Sequence, residues 1–196
     1  MRLQKYLFVL LLMVTTTNAK AQQNPYYYQI PDTPAVYTPE TVAARMVDGL
    51  GFRYFWATSG LTDEDLLFKP GDSARTTFET LEHIHGLTQV LLNAVSGTST
   101  KSGGDTKKLS FSEMRAQTLK NIESASKILK KPQAKLADFD MVFEGANGKT
   151  RYPFWNLING PVSDALWHVG QVVSFRRSSG NPLPKGVNVL AGKKSN

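Results

Sequence analysis

Val162-Ser163-Asp164-Ala165-Leu166-Trp167-His168-Val169-Gly170-Gln171-Val172-Val173-Ser174-Phe175-Arg176-Arg177-Ser178 is the stretch that decides the fold class. Val162, Ala165, Val169, Val172 and Val173 recur at steps of three and four, the spacing of a helix with one apolar face, and Ile158 extends that face upstream. Gly180 and Pro182 mark its end. At its start, Gly160-Pro161 leaves two readings: Asn159 or Gly160 caps the helix and Pro161 opens it, or a longer helix kinks there. Arg176 and Arg177 fall in the last turn, where cations complement the helix dipole.

Three more helices precede it. Thr38-Pro39-Glu40 opens the first, with Val42, Met46, Val47 and Leu50 at helical spacing and Phe52, Tyr54, Phe55 and Trp56 as core aromatics; Ser59-Gly60 closes it. The segment from Leu61 to Gly71 reads as a loop with room for one short helical turn. A second helix runs from Ser73–Thr76 to Val95 with apolar residues over a wide arc. Residues 96–109 are rich in Gly, Ser, Thr and Lys and read as a loop. Ser110-Phe111-Ser112-Glu113 is a capping-box sequence for a third helix, with Met114, Thr118, Ile122, Ala125, Ile128 and Leu129 inward and Pro132 beyond its end. Between it and the last helix, Phe139, Met141 and Phe143 alternate with acidic or aliphatic residues before Asn147-Gly148, a hairpin signal; a small excursion is expected there, short of a true sheet. The expected class is therefore all-α: a four-helix bundle over residues 38–182 with one small non-helical excursion before the last helix.

The flanks differ in kind. Arg2 and Lys5, the apolar run from Tyr6 to Val14, and Ala19-Lys20-Ala21 have the three parts of a secretory signal peptide, so residues 1–21 are expected to be removed and the protein exported, periplasmic or extracellular. Residues 22–37, with Tyr26-Tyr27-Tyr28 and three prolines, read as a linker whose tyrosines lie against the body, and residues 183–196 as a loose basic tail. Removing Arg2, Lys5 and Lys20 takes the formal charge from +7 to +4. The surplus is scattered over loops and the tail, a pattern that argues against nucleic acid as a partner. No later stretch is long and apolar enough to span a membrane. With no cysteine in the chain, thiolate catalysis and Cys-ligated zinc are excluded, and any metal must be held by His, Asp, Glu or backbone oxygens.

The histidines are three: His83, His85 and His168. Asp164 and His168 are four apart and share one helix face. A third ligand from His83 or His85 would complete a set with open positions for water; two residues apart on a helix, those two point in different directions, so only one can join. Gln171 lies on the same face as His168 and is placed to orient it. Asn156 and Asn159 are placed to cap the last helix or line the same end of the bundle, and Trp155 and Trp167 read as packing residues.

Three motifs together resemble the DinB-like family: Phe78-Glu79-Thr80-Leu81-Glu82-His83-Ile84, the run from Leu166 through His168-Val169-Gly170-Gln171 to Gly180, and Leu61-Thr62-Asp63-Glu64-Asp65-Leu66 through Lys69-Pro70. The resemblance covers roughly residues 40–184. It implies a four-helix bundle and a divalent metal, often zinc or nickel, on one histidine of the second helix and two of the fourth. Carried over by position, those are His83, Asp164 and His168, with Asp164 standing where the family has a histidine. A carboxylate there gives harder ligand character, which suits zinc, manganese or iron over nickel. The resemblance further implies a divalent-metal-dependent hydrolase or transferase acting on a small-molecule substrate. The family's transferases use low-molecular-weight thiols that are mainly cytoplasmic, which fits an exported chain poorly; the competing expectation is a non-catalytic metal- or ligand-binding bundle. Many bundles of this kind pair, which makes a homodimer one expected assembly.

Overall fold

A computed structural model describes residues 25–101 and 108–195. The expected signal peptide at 1–21 lies outside the described residues. Four long helices carry the fold: α1 (Pro39–Thr58), α3 (Thr77–Val95), α4 (Phe111–Leu129) and α6 (Ser163–Ser178); α2 (Asp63–Leu67) and α5 (Phe154–Leu157) are short. α1 and α3 each pack against both α4 and α6, so the core lies inside a ring of four helices. Leu50, Phe52, Leu81, Ile84, Ile122, Leu129, Ala165 and Val172 are fully buried there.

Local chemistry fixes the helix starts. Thr38, Thr62, Thr76 and Ser110 each accept from the backbone N–H three residues on, while Thr41, Asp65, Glu79 and Glu113 return a side-chain bond to the cap. A cap of this type stabilises a helix by about 1 kcal/mol. Of the residues expected inward on α1, Val47 and Leu50 are buried, but Val42 and Met46 are exposed.

The last helix takes the second of its two readings. The chain is helical from Phe154 to Ser178, passing through a π turn at Ile158–Val162 that contains Pro161. Proline lacks an N–H, and the wider turn carries the helix past it. The extra residue shifts the apolar face, so that neighbours Pro161 and Val162 are both buried.

The molecule is mostly helical but not all-α. Asn147-Gly148 does turn a hairpin, with Gly148 at φ +111°, joining β2 (Met141–Gly145) to β3 (Gly148–Tyr152). β1 (Thr100–Lys101) adds in parallel to β2, which makes a three-stranded sheet in order β1-β2-β3 where no true sheet was expected. Glu144–Lys149 and Asp140–Arg151 ion pairs tie the hairpin strands, Met141 reaches the core, and the Asn93 side chain at the end of α3 donates to Thr100 Oγ1. Composition alone marked residues 96–109 as loop; the pairing partner that makes 100–101 a strand lies some forty residues away in sequence.

Both flanks also belong to the body. Tyr27 is buried, donates to Asp48 Oδ1 at 3.1 Å and lies flat against Gly51, where an added Cβ would come within 2.4 Å of the ring. Trp56 Nε1 donates to the Tyr28 carbonyl. The tail expected to be loose forms β4 (Val187–Asn188) and β5 (Lys193–Lys194), and Gly192 accepts from the Ile30 N–H at 2.8 Å while its α-carbon faces the Ile30 side chain. Leu183 and Val187 pack on the core, apolar anchors hidden among basic residues.

Candidate metal centre

α3 presents His83 and α6 presents Asp164 and His168 into the seam between the two helices. His83 Nε2 lies 3.2 Å from Asp164 Oδ2, and His168 Nε2 lies 3.2 Å from Asp164 Oδ1. The imidazoles stand edge to face, 4.6 Å between centroids and 89° between planes. One ligand atom from each of the three lies within 4.8 Å of the others, and this is the one such group of three among the described residues. The side chain of His168 is 14% exposed, those of His83 and Asp164 35% and 39%, so the centre is held by protein behind and open to solvent in front.

Gln171, one turn beyond His168, places Oε1 2.7 Å from His168 Nδ1. A proton on Nδ1 donated to Gln171 leaves the Nε2 lone pair of a neutral ring turned toward the carboxylate. A ring lone pair facing a carboxylate oxygen at 3.2 Å calls for a cation or a proton between them. The donor set, two imidazole nitrogens and a carboxylate, suits a divalent ion and leaves further coordination positions for water or substrate.

Of the two candidates on α3, His83 joins the group. His85 turns toward α4, where its Nδ1 meets Thr118 Oγ1 at 3.0 Å; burial lowers its pKa, as for a neutral, hydrogen-bonded core histidine. Glu79 near His83 is engaged elsewhere, since the Thr76 N–H and hydroxyl hold its carboxylate and lower its pKa. Asn156 and Asn159 cap nothing, because the chain enters α6 from the π turn without a break. Trp155 and Trp167, expected to pack, are 74% and 72% exposed.

Comparison with protein-family models, curated proteins and solved structures returned no match.

A second polar group went unread in the sequence. Arg176 is buried, and its guanidinium donates to the carbonyls of Trp56, Ala57 and Ser59 at the end of α1 and to the Asn181 carbonyl. It therefore caps another helix rather than answering the dipole of its own. Beside it, Asp65 accepts from the Thr62 N–H, Ser179 Oγ and Asn181 Nδ2. Burial pushes the Asp65 carboxyl up, but the bonds from Ser179, Thr62 and Asn181 outweigh it and hold the pKa at about 2. This cluster ties the α1–α2 connection to the end of α6 and thereby sets the level at which α6 presents Asp164 and His168. The only sequence signal was the joint presence of Asp65 in the first connection and Asn181 after the last helix.

A cavity of about 830 Å³ lies between α1 and α6, and none of the three metal-ligand candidates lines it.

Proposed function

We propose that this chain is an exported protein of the DinB-like type that holds one divalent metal ion on His83, Asp164 and His168 and uses it for hydrolysis or group transfer on a small molecule. The observation that carries this reading is the meeting of three ligand atoms from two helices within 4.8 Å, with Gln171 placed to set the tautomer of His168. A bound divalent ion would polarise a substrate oxygen or lower the pKa of a coordinated water. The protein's own share is orientation: Asp164 spans both imidazoles through its two oxygens, and Gln171 holds the Nδ1 proton of His168. The ring of four helices and the resembling motifs of α3 and α6 support the family assignment.

A second reading, a bundle that binds metal without turnover, draws support from two observations. Among the described residues no carboxylate beyond Asp164 contacts the centre as a general base, Glu79 being engaged by Thr76, and the cleft of about 830 Å³ is on another flank.

Metal analysis of the purified protein tests the proposal. The expected result is one equivalent of zinc, manganese or iron, lost in His83→Ala and in His168→Ala while circular dichroism and the melting temperature of the metal-free protein stay unchanged. A metal-free protein that takes up none of these ions at micromolar concentration overturns it. Metal uptake without hydrolysis of ester, amide or phosphoester probes selects the non-catalytic reading.

A further inference from the structure

The flank of α6 that turns away from α3 meets α1 across a cleft of about 830 Å³, with the C-terminal segment 183–190 along one side. α1 and α6 run in the same direction here, since Arg176 near the end of α6 caps the end of α1. Met46, Trp56, Leu166, Val169, Val173 and Leu183 make the walls apolar. Hydrocarbon is also left in water at its mouth: Met46 is 39% exposed, Val189 48% and Leu190 95%. Single exposed apolar side chains are ordinary, but several around one concavity mark a binding surface.

The charges in this cleft have one sign. Arg45, Arg53 and Arg177 line it, and no acidic residue does. Arg45 donates to the Pro31 carbonyl; Arg53 folds back along its helix to donate to the Gly49 carbonyl, where the missing side chain leaves it room. None of the three takes part in an ion pair among the described residues. Each guanidinium has five N–H donors, and two parallel ones match a carboxylate.

We propose that this cleft binds a single-chain amphiphile with a carboxylate head, a fatty-acid anion: its hydrocarbon chain lies along the α1–α6 wall and its head meets Arg53 and Arg177. The volume is in the range of small-molecule sites, roughly 300–1,000 Å³. A small anion would gain nothing from the apolar wall, and a neutral lipid would leave the arginines without a counter-charge. The site is separate from the metal centre and does not depend on it.

Trp56 is in the cleft wall and serves as the reporter. In a Trp155→Phe, Trp167→Phe background it is the only indole. Laurate, kept below its micellar concentration, is titrated against this protein. A saturable one-to-one change in Trp56 fluorescence is expected, with no response to dodecyltrimethylammonium. Arg53→Met and Arg177→Met should each weaken laurate binding about 10-fold, the usual size for a charge-assisted hydrogen bond. Gly170→Phe should abolish it, because Gly170 lines the cleft and a Cβ there meets no atom within 4 Å, so the ring fills the site without disturbing the helix. An unchanged melting temperature confirms that this variant folds. The proposal is overturned if the cationic amphiphile binds as well as laurate, if both arginine variants bind normally, or if Gly170→Phe splits a dimer while laurate has no effect; that last result would give the cleft to a second copy of the chain.

Discussion

At the residue scale, the centre turns on Gln171 as much as on the ligands. Its Oε1 fixes which nitrogen of His168 carries the proton, so Gln171→Ala frees the ring to rotate and to adopt the other tautomer. Loss of such an orienting bond costs roughly 10- to 100-fold in metal affinity, readable by competition with a zinc chelator. Asp164→His gives three imidazoles and softer ligand character, and should move preference from manganese toward nickel and zinc. Asp65 provides a pH prediction. Its pKa is depressed in the folded protein, to about 2 from the ordinary 3.8. The stabilisation it brings is therefore present above pH 4 and is lost as the pH falls from about 4 to 2; its size is about 2 kcal/mol. Asp65→Asn should lower stability to urea at pH 7 and flatten the acid limb across that window. An acid limb identical to that of the parent protein would exclude Asp65 as its source.

At the element scale, α6 does several jobs, and its sequence disclosed them unevenly. The apolar steps Val162, Ala165, Val169 and Val172 were legible because helical periodicity is a local property. So were the capping box at Ser110 and the helix start at Thr38-Pro39, which need only neighbours in sequence; that Thr38 and Thr41 also form a capping box was not read. The pairing of Asp164 with His168 was legible for the same reason, and spacing left only the choice of His83 or His85 to the fold. Arg176 was not legible, because a last-turn arginine looks the same whether it faces water or the end of another helix. Its three carbonyl partners at the end of α1 lie more than a hundred residues away. The strand at 100–101 and the tail strands escaped for the same reason, each being defined by a partner and not by its own composition. The contribution of Arg176 can be measured. Arg176→Met keeps the aliphatic stem but leaves the Trp56, Ala57 and Ser59 carbonyls without their guanidinium donor, and should destabilise the fold by about 3 kcal/mol in chemical denaturation. Arg177→Met, one residue on and exposed, should change stability by less than about 0.5 kcal/mol.

At the scale of the whole molecule, the candidate metal centre bridges helices that are far apart in the chain. α3 and α6 are joined through α4, the hairpin and the π turn, so an ion held by His83 on one and by Asp164 and His168 on the other would act as a cross-link available only to the folded state. The Asp65–Arg176 cluster fastens the far end of α6 to α1 independently of the ion, so the metal-free protein should stay folded. Binding to the native state alone adds about 2.7 kcal/mol at a hundredfold excess over the dissociation constant. For a chain of this size that corresponds to a rise of roughly 5–10 °C in melting temperature. Scanning calorimetry with zinc or manganese should show the rise in the parent protein and its absence in His83→Ala, although His83→Ala leaves both ligand candidates on α6 in place. A full rise in His83→Ala would mean that the ion sits on α6 alone, and the cross-link between the two helices would then have no part in stability.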